Sequence, residues 1–478
     1  MVQTVQAGVE AGGEAGVRTA VPPAGEARER GRDLAAALAA DGVAGVTIAW
    51  ADNNGVPRSR TVPVAALEQA AATGVGVTTL FAVFDTNDVI TFDAAGLGTP
   101  SGDVRLLPVL DRVTRLAGQP DFAWAPGRQV AADGSPWAFD QRSVLERTVE
   151  RLAAGGYSAL VGYEMEFGVF LPDTGDGALV PAHSGPAYSP HALLAVDAFV
   201  AQVMRDAASN GLRLGQVHAE YGPAQVELSL AASDPLTAAD QQLLARQTIL
   251  AAAAAHGLRV SFAPLPTLNG AGNGWHVHTS LWRGDENLLA GGPEGPRGTA
   301  GGSYVAGLLR DLPALAAVTA PSVGSLARLR PGFFAGAYAF WGVENREAPL
   351  RYVPGSALLG EDHANLELKV SDASANPYLA LSALLASGVA GVEENLVPPA
   401  PIAADPGTWK KKERAAAGVG KLPSSQAEQE EALLASPRVT GALGEELLGA
   451  FLAVRRADAA WAEGRETEDV LAAWRWKY

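Results

Sequence analysis

Four short segments, far apart in a 478-residue chain, alternate apolar and polar side chains as a strand does. Each, however, puts metal- or proton-binding side chains on the face where Thr or Lys would ordinarily meet water. In Tyr163-Glu164-Met165-Glu166-Phe167 the two glutamates share a face and stand ~7 Å apart, at about 3.3 Å per residue. Glu220 ends one strand, and Gln225 and Glu227 begin the next across the Gly222-Pro223 break. In Trp275-His276-Val277-His278-Thr279-Ser280 the two histidines and Ser280 fall together, as do Asn365, Glu367 and Lys369 further on. Any one of these alone reads equally well as a half-exposed strand with a solvated face. Four together suggest convergence, because His276 and His278 are two of only seven histidines and follow Gly272-Asn273-Gly274. If the faces meet, Glu164, Glu166, Glu220, Glu227, Glu367 and His276 share one cavity. Buried carboxylates without partners are too costly to persist, and divalent cations would remove that cost.

Composition narrows the chemistry. The chain has no cysteine, which removes disulfides, thiolate metal sites and cysteine nucleophiles, and leaves Glu, Asp and His to hold hard divalent ions. A formal charge of −16 works against nucleic acid as a partner. No run of about 18 apolar residues suits a membrane, and residues 1–30 lack the basic-then-apolar order of a signal peptide, so a cytoplasmic protein is expected. Residues 1–28, rich in Gly, Ala, Val and Pro, read as a disordered tail. From 29 to 120 a helix over 32–38, a strand over 46–50 and the Asp52-Asn53-Asn54-Gly55 turn suggest a small α+β unit. A Pro/Gly-rich passage over 124–136 reads as a separator, and 121–478 as a larger unit with Ala/Leu-rich helices over 236–256 and 378–388.

Cationic groups follow downstream, in Arg328-Leu329-Arg330-Pro331-Gly332 and between Asn345-Arg346 and Arg351. Singly, each arginine reads as a surface ion pair. Beside a carboxylate-rich metal cluster they suit the oxygens of a metal-bound nucleotide, whose phosphoryl group could then be transferred. Gly418-Val419-Gly420-Lys421-Leu422 lacks the upstream Gly and following Ser/Thr of a P-loop, and Gly270-Ala271-Gly272-Asn273-Gly274 has the wrong spacing for a dinucleotide loop.

Taken in order, these motifs resemble the glutamine synthetase superfamily of ATP-dependent glutamate-amine ligases, closest in character to its γ-glutamyl-amine (polyamine- and ethanolamine-type) ligases. The likeness runs from about Val46 to the C-terminus, through Glu164/Glu166, Glu220 and Gln225 to Glu227, 272–280, 328–332, Asn345-Arg346, Arg351, and Glu367 to Lys369 leading into Ala375-Asn376-Pro377-Tyr378. The resemblance implies an α+β fold: an N-terminal β-grasp domain, then a catalytic domain whose antiparallel strands line a funnel flanked by helices. It implies two or three Mg²⁺ or Mn²⁺ ions per site, with Glu166, Glu220 and Glu227 holding one and Glu164, His276 and Glu367 another. ATP would meet His278, Ser280, Arg346 and Arg351. Glutamate would meet Gly272, Arg328 and Lys369. Asp52, Tyr188 and Phe334 would form the amine pocket, and Glu220 and Arg346 would share the catalytic work with Asp52, given by a neighbour in a homododecamer of two stacked hexameric rings.

The chemistry so implied activates the γ-carboxylate of glutamate as an acyl phosphate, which an amine then displaces. Ammonium-using members carry a flap Glu three residues after the proline of the Pro-Gly step. Here that slot holds Phe334, which cannot accept a proton but can face an alkyl chain or an ammonium group, the latter worth ~0.5–2 kcal/mol. A larger amine than ammonia is therefore expected, unless another flap residue supplies the carboxylate. Lys369 stands where Arg is usual and Asn273 where Ser is common. No Tyr lies between Tyr378 and Tyr478, so control by tyrosine adenylylation is not expected. Three alternatives stay open: glutamine synthetase proper, a non-catalytic relative, and a phosphotransferase that stops at a phosphorylated product.

Overall fold

The computed structural model describes residues 22–172 and 179–478. Its first layer begins with α1 (Ala24–Ala40), whose Gly31 lies so close to α2 (Leu67–Thr73) that a Cβ there would sit 2.7 Å from the Ala71 Cβ. Residues 24–28, expected in a disordered tail, thus form the first turn of a packed helix, and residues 1–21 of that tail lie outside the described residues. Strands β1 (Gly45–Ala51) and β2 (Pro57–Pro63) form an antiparallel hairpin across the expected turn over 52–55. With β3 (Val75–Thr78), β4 (Asp103–Pro108), β5 (Thr114–Arg115) and β6 (Phe122–Val130) they build a sheet of order β2-β1-β6-β4-β3, with β5 on β6 and β1 parallel to β6. A mixed sheet with a parallel central pair and α2 between β2 and β3 is the β-grasp arrangement.

Strand β6 runs past the boundary expected at residue 120, so that the passage read as a separator is a central strand of this sheet as far as Val130. Its Pro and Gly are there for packing. The Pro126 carbonyl accepts from the Val109 N–H at 2.9 Å, and a Cβ on Gly127 would lie 2.5 Å from Leu106 Cδ1. Only a residue without a side chain fits so close an approach.

The larger sheet comprises β7 (Ser158–Phe170), β8 (Leu214–Ala219), β9 (Gln225–Ser233), β10 (Arg259–Ser261), β11 (Trp275–Arg283) and β12 (Glu286–Asn287). After the small β13 (Tyr338–Ala339) it is completed by β14 (Trp341–Val343), β15 (Leu350–Val353) and β16 (Asn365–Leu368). The order is β14-β15-β16-β11-β7-β9-β8, with β10 on β7 and β12 on β11, antiparallel except between β14 and β15. The four ligand-bearing segments contribute its central strands. Register sets His276 opposite Glu164, His278 opposite Glu367, and Glu166 opposite Glu227. A slip of one residue in any pair would turn that strand's ligands to the other face.

Helices interspersed with these strands are α3 (Gln141–Ala154), α4 (Pro190–Leu194), α5 (Asp197–Ser209), α6 (Pro235–Ala255), α7 (Ala300–Thr319), α8 (Val323–Arg328) and α9 (Pro377–Glu393). Asn376 caps α9 by accepting from the Tyr378 and Leu379 N–H groups, and α9 is buried almost all round. Helices α10 (Lys411–Ala416), α11 (Gln426–Leu434), α12 (Pro437–Leu443), α13 (Glu445–Ala462) and α14 (Thr467–Trp474) close the chain. A buried polar network joins the two sheets. Gln141 donates to Asn53 at 3.0 Å, Arg142 forks onto Asp240 at 3.1 and 3.0 Å, and Asn376 reaches the Ala51 and Asp52 carbonyls at 3.0 Å. Among the described residues no helix is long and apolar enough to cross a membrane.

Candidate active site

Glu164 and Glu166 on β7, Glu227 on β9, His276 and His278 on β11 and Glu367 on β16 are all buried on one face of the sheet, and Glu220 joins them from just past β8. His276 Nδ1 lies 3.1 Å from Glu164 and 3.3 Å from Glu367, its Nε2 lies 3.7 Å from Glu166, and His278 Nε2 lies 3.3 Å from Glu164. Three sets bring one ligand atom per residue within 4.8 Å of one another: Glu166/Glu220/Glu227, Glu164/Glu227/His276 and Glu164/His278/Glu367. The first is one expected set. In the second expected set, His276 does touch both Glu164 and Glu367, but His278, expected at the nucleotide, has ligand reach to the same two carboxylates.

The electrostatics fit cations. Burial, with Glu227 and Glu220 nearby, pushes Glu166 up to about 7, and burial with Glu164 and Glu220 nearby does the same to Glu227. Burial also opposes charge on Glu164, but His278 and His276 more than reverse this and hold it well below the usual range. Against burial, Lys369 and the histidines bring Glu367 down to about 2, and Glu164 brings His278 up to about 9. Glu164 Oε1, Glu220 Oε2, Glu227 Oε1 and His278 Nε2 are buried without a hydrogen bond. Carboxylate oxygens and imidazole nitrogens left open in this way suit Mg²⁺ or Mn²⁺.

Three of the expected cationic groups, Arg351, Lys369 and Arg328, lie around the cluster. Arg351 donates to Glu367 at 2.8 Å, and Lys369 Nζ stands 3.7 Å from the other oxygen of that carboxylate. Arg328 is buried, donates to the Ser371 carbonyl at 2.9 Å, and packs on Gly272, where a Cβ would meet its Cγ at 2.5 Å. Gln225 ties this wall to the ligands by donating to the Gly272 carbonyl at 2.8 Å and to Glu166 at 3.0 Å. Ser280 and His278 line a small pocket with Gly162, Ala232, His363 and Asn365. Arg346 is exposed on the loop between β14 and β15.

At the mouth, Tyr188 is 59% exposed and donates to Glu220 Oε1 at 3.1 Å. Tyr188 and Phe334 hold φ of 57° and 53°, unfavourable for bulky side chains and frequent at functional sites. Phe334 is 60% exposed on the flap. A carboxylate does stand beneath the flap: Glu347 accepts from the Gly332 N–H at 3.3 Å.

Asp52 is not part of this group. Its side chain is fully enclosed in its own chain, with Oδ1 accepting from the Asn54 and Val56 N–H groups at 2.8 and 3.1 Å and Oδ2 from Arg58 at 2.8 Å. Both oxygens are engaged within the hairpin, one by its turn and the other by Arg58 of β2. His218, in turn, was missed. Its Nε2 stands 3.2 Å from Glu227, and its ring lies 6.0 Å from that of Tyr188. Its place two residues before Glu220 is the signal that could have found it.

The chain resembles known proteins in both sequence and structure. Residues 138–472 match the family model described as glutamine synthetase, catalytic domain. The chain is 43% identical over 452 residues to the gamma-glutamylpolyamine synthetase GlnA3 of Streptomyces coelicolor, covering 94% of this chain and 97% of the relative. It is 32% identical to the glutamine synthetase of Pyrococcus abyssi, covering 84% of this chain and 87% of the relative. Among solved structures, a novel glutamine synthase homolog superposes with a TM-score of 0.80 at 30% identity, over 91% of this chain and 99% of that one. A GmaS/ADP complex superposes with a TM-score of 0.78 at 26% identity, over 91% and 97%.

Proposed function

This chain belongs to the glutamine synthetase family of ATP-dependent ligases, and on that premise we propose that it joins the γ-carboxylate of L-glutamate to an organic amine. The observation that carries the choice of acceptor is Phe334, an exposed phenyl ring at the flap position where ammonium-using members carry Glu. The 43% identity to a gamma-glutamylpolyamine synthetase supports the same reading.

The reaction takes two steps. A γ-carboxylate oxygen of glutamate attacks the γ-phosphorus of ATP, and ADP leaves. The amine nitrogen then attacks the carbonyl carbon of the γ-glutamyl phosphate; inorganic phosphate leaves and the nitrogen loses a proton. Arg346 and Arg351 draw the phosphate oxygens, and Arg328, Lys369 and Gly272 hold the amino-acid end of glutamate. Glu166, Glu220 and Glu227, with Glu164, His276, His278 and Glu367, would hold divalent cations, which lower the charge repulsion between phosphate and carboxylate. Tyr188 and Glu220, joined by a 3.1 Å hydrogen bond, attract the alkylammonium at the mouth, and Glu220 takes up its proton. As in the family, the subunits are inferred to assemble as two stacked hexameric rings with sites at subunit boundaries.

Glu347 favours a second reading, ammonium as acceptor, because it places a carboxylate beside the flap. An amine panel separates the two: phosphate release is followed with glutamate, ATP and ammonium, ethanolamine, putrescine or spermidine, and the amide is identified by mass. Turnover with organic amines at concentrations where ammonium gives little supports the proposal. Efficient turnover with dilute ammonium alone refutes it, and phosphate transfer without amide would indicate a phosphotransferase.

A further inference from the structure

Behind the ligand-bearing strands, on the apolar face of the sheet, lies a cation that the reaction scheme does not use. Arg246 of α6 is only 1% exposed, and among the described residues no carboxylate comes within ion-pairing distance of it. Its guanidinium lies over the Trp275 ring at 4.3 Å. It donates to the Gly55 carbonyl at 2.6 Å, the Ala373 carbonyl at 3.1 Å and Gln242 at 3.3 Å. Burial lowers its pKa to about 9, against the opposing pull of Tyr163, Asp52 and Asp372 at longer range. A buried cation met only by neutral acceptors and an aromatic face is an expensive structural element, more so than an apolar side chain of similar size.

What it joins gives the reason. Trp275 opens β11 one residue before His276, its indole N–H donates to the Glu166 carbonyl at 2.9 Å, and its backbone N–H donates to the Ser371 carbonyl at 3.0 Å. That same Ser371 carbonyl accepts from Arg328. Ala373 lies two residues further along this loop, which begins at Lys369. Gly55 belongs to the turn that Asp52 organises, and φ of 70° and the lack of a side chain let it lie against the loop, where a Cβ would meet the Ala375 carbonyl oxygen at 2.6 Å. One guanidinium therefore fixes three pieces at once: the first sheet's turn, the start of β11, and the loop from which Arg328 and Lys369 take their positions.

We propose that Arg246 is a positioning residue that holds the 369–376 loop and Trp275 in register, so that Arg328 and Lys369 meet glutamate correctly. It does not touch substrate. The proposal rests on the reading of glutamate as acyl donor, and the test is arranged so that the two can fail separately.

R246K, R246M and, independently, G55A are made in the full chain and assayed well below their melting temperatures. KM is measured separately for glutamate, ATP and the best amine of the panel. The proposal predicts a glutamate KM raised about tenfold in R246M and G55A, less in R246K, with the ATP KM within twofold of the parent. An unchanged glutamate KM, equal movement of all three KM values, or a fall in kcat alone that follows the folded fraction would overturn it. So would failure of every variant to fold, which assigns Arg246 to folding only. If the parent ligates no amine and no ammonium, the proposed function fails, and glutamate-dependent thermal shift then decides: a shift seen in the parent and lost in R246K upholds positioning, and no shift in the parent refutes it.

Discussion

Phe334 and Asp52 lie in opposite surroundings, one exposed and the other enclosed. Phe334 is exposed on the flap, and its effect should be directly transferable: F334E should raise the ratio of kcat/KM for ammonium over that for the best organic amine about tenfold or more, equivalent to ~1.4 kcal/mol. An unchanged ratio would mean that Glu347 or another group sets the acceptor. The convergence of these carboxylates and imidazoles was legible because strand alternation and unusual chemistry coincide: such a side chain at every second position has no ordinary use on a sheet. Asp52 had no such second signal. An aspartate in an Asp-Asn-Asn-Gly turn looks the same in sequence whether it faces a substrate or caps its own backbone, and here it caps the turn. Arg246 was invisible for a related reason, since an arginine in a helix reads as surface until the packing around it is known.

At the level of elements, the crossing of α7 and α9 shows how small residues decide the core. A Cβ on Gly391 would lie 2.2 Å from the Ser303 carbonyl oxygen, and one on Gly307 would lie 2.3 Å from that of Ser387. G391V should therefore destabilise the protein by ~1–3 kcal/mol or more by overpacking. Gly449 of α13 has nothing within 4 Å of a Cβ, so G449A should stabilise by about 0.5–1 kcal/mol. Chemical denaturation of the two variants beside the parent checks both signs. The sequence marked α9 as helix from its Ala/Leu-rich content but could not tell which glycines were contacts. The same ambiguity moved the first boundary: Pro126 and Gly127 resemble linker residues by composition, whereas Gly127 is required by its closeness to Leu106 in the sheet.

For the whole molecule, acid stability provides a check independent of catalysis. Asp311 on α7 is buried; burial pushes its pKa up, but Arg438 at 2.8 Å and Arg310 more than reverse this and hold it low. A carboxyl whose folded pKa is lowered contributes stability above its unfolded pKa of about 3.9 and loses it as the pH falls through the folded value. D311N should lower stability by ~1.5–3 kcal/mol at pH 7, and the difference from the parent should shrink below pH 4 in thermal melts. A difference constant with pH would place the effect in packing instead of charge. The overall architecture was legible from sequence because it follows from strand pairing: four segments scattered along the chain had to become neighbours for their ligands to meet, and β16-β11-β7-β9 is that arrangement.

The most direct measurement on that convergence is a Mn²⁺ titration of the full chain followed by electron paramagnetic resonance, which counts free and bound ion. Two or three saturable sites per chain are expected, with sites lost in E164Q and E227Q in spite of an intact fold by circular dichroism. Absence of saturable binding in the parent, or titrations of both variants superimposable on it, would contradict a cation-binding site built by these strands.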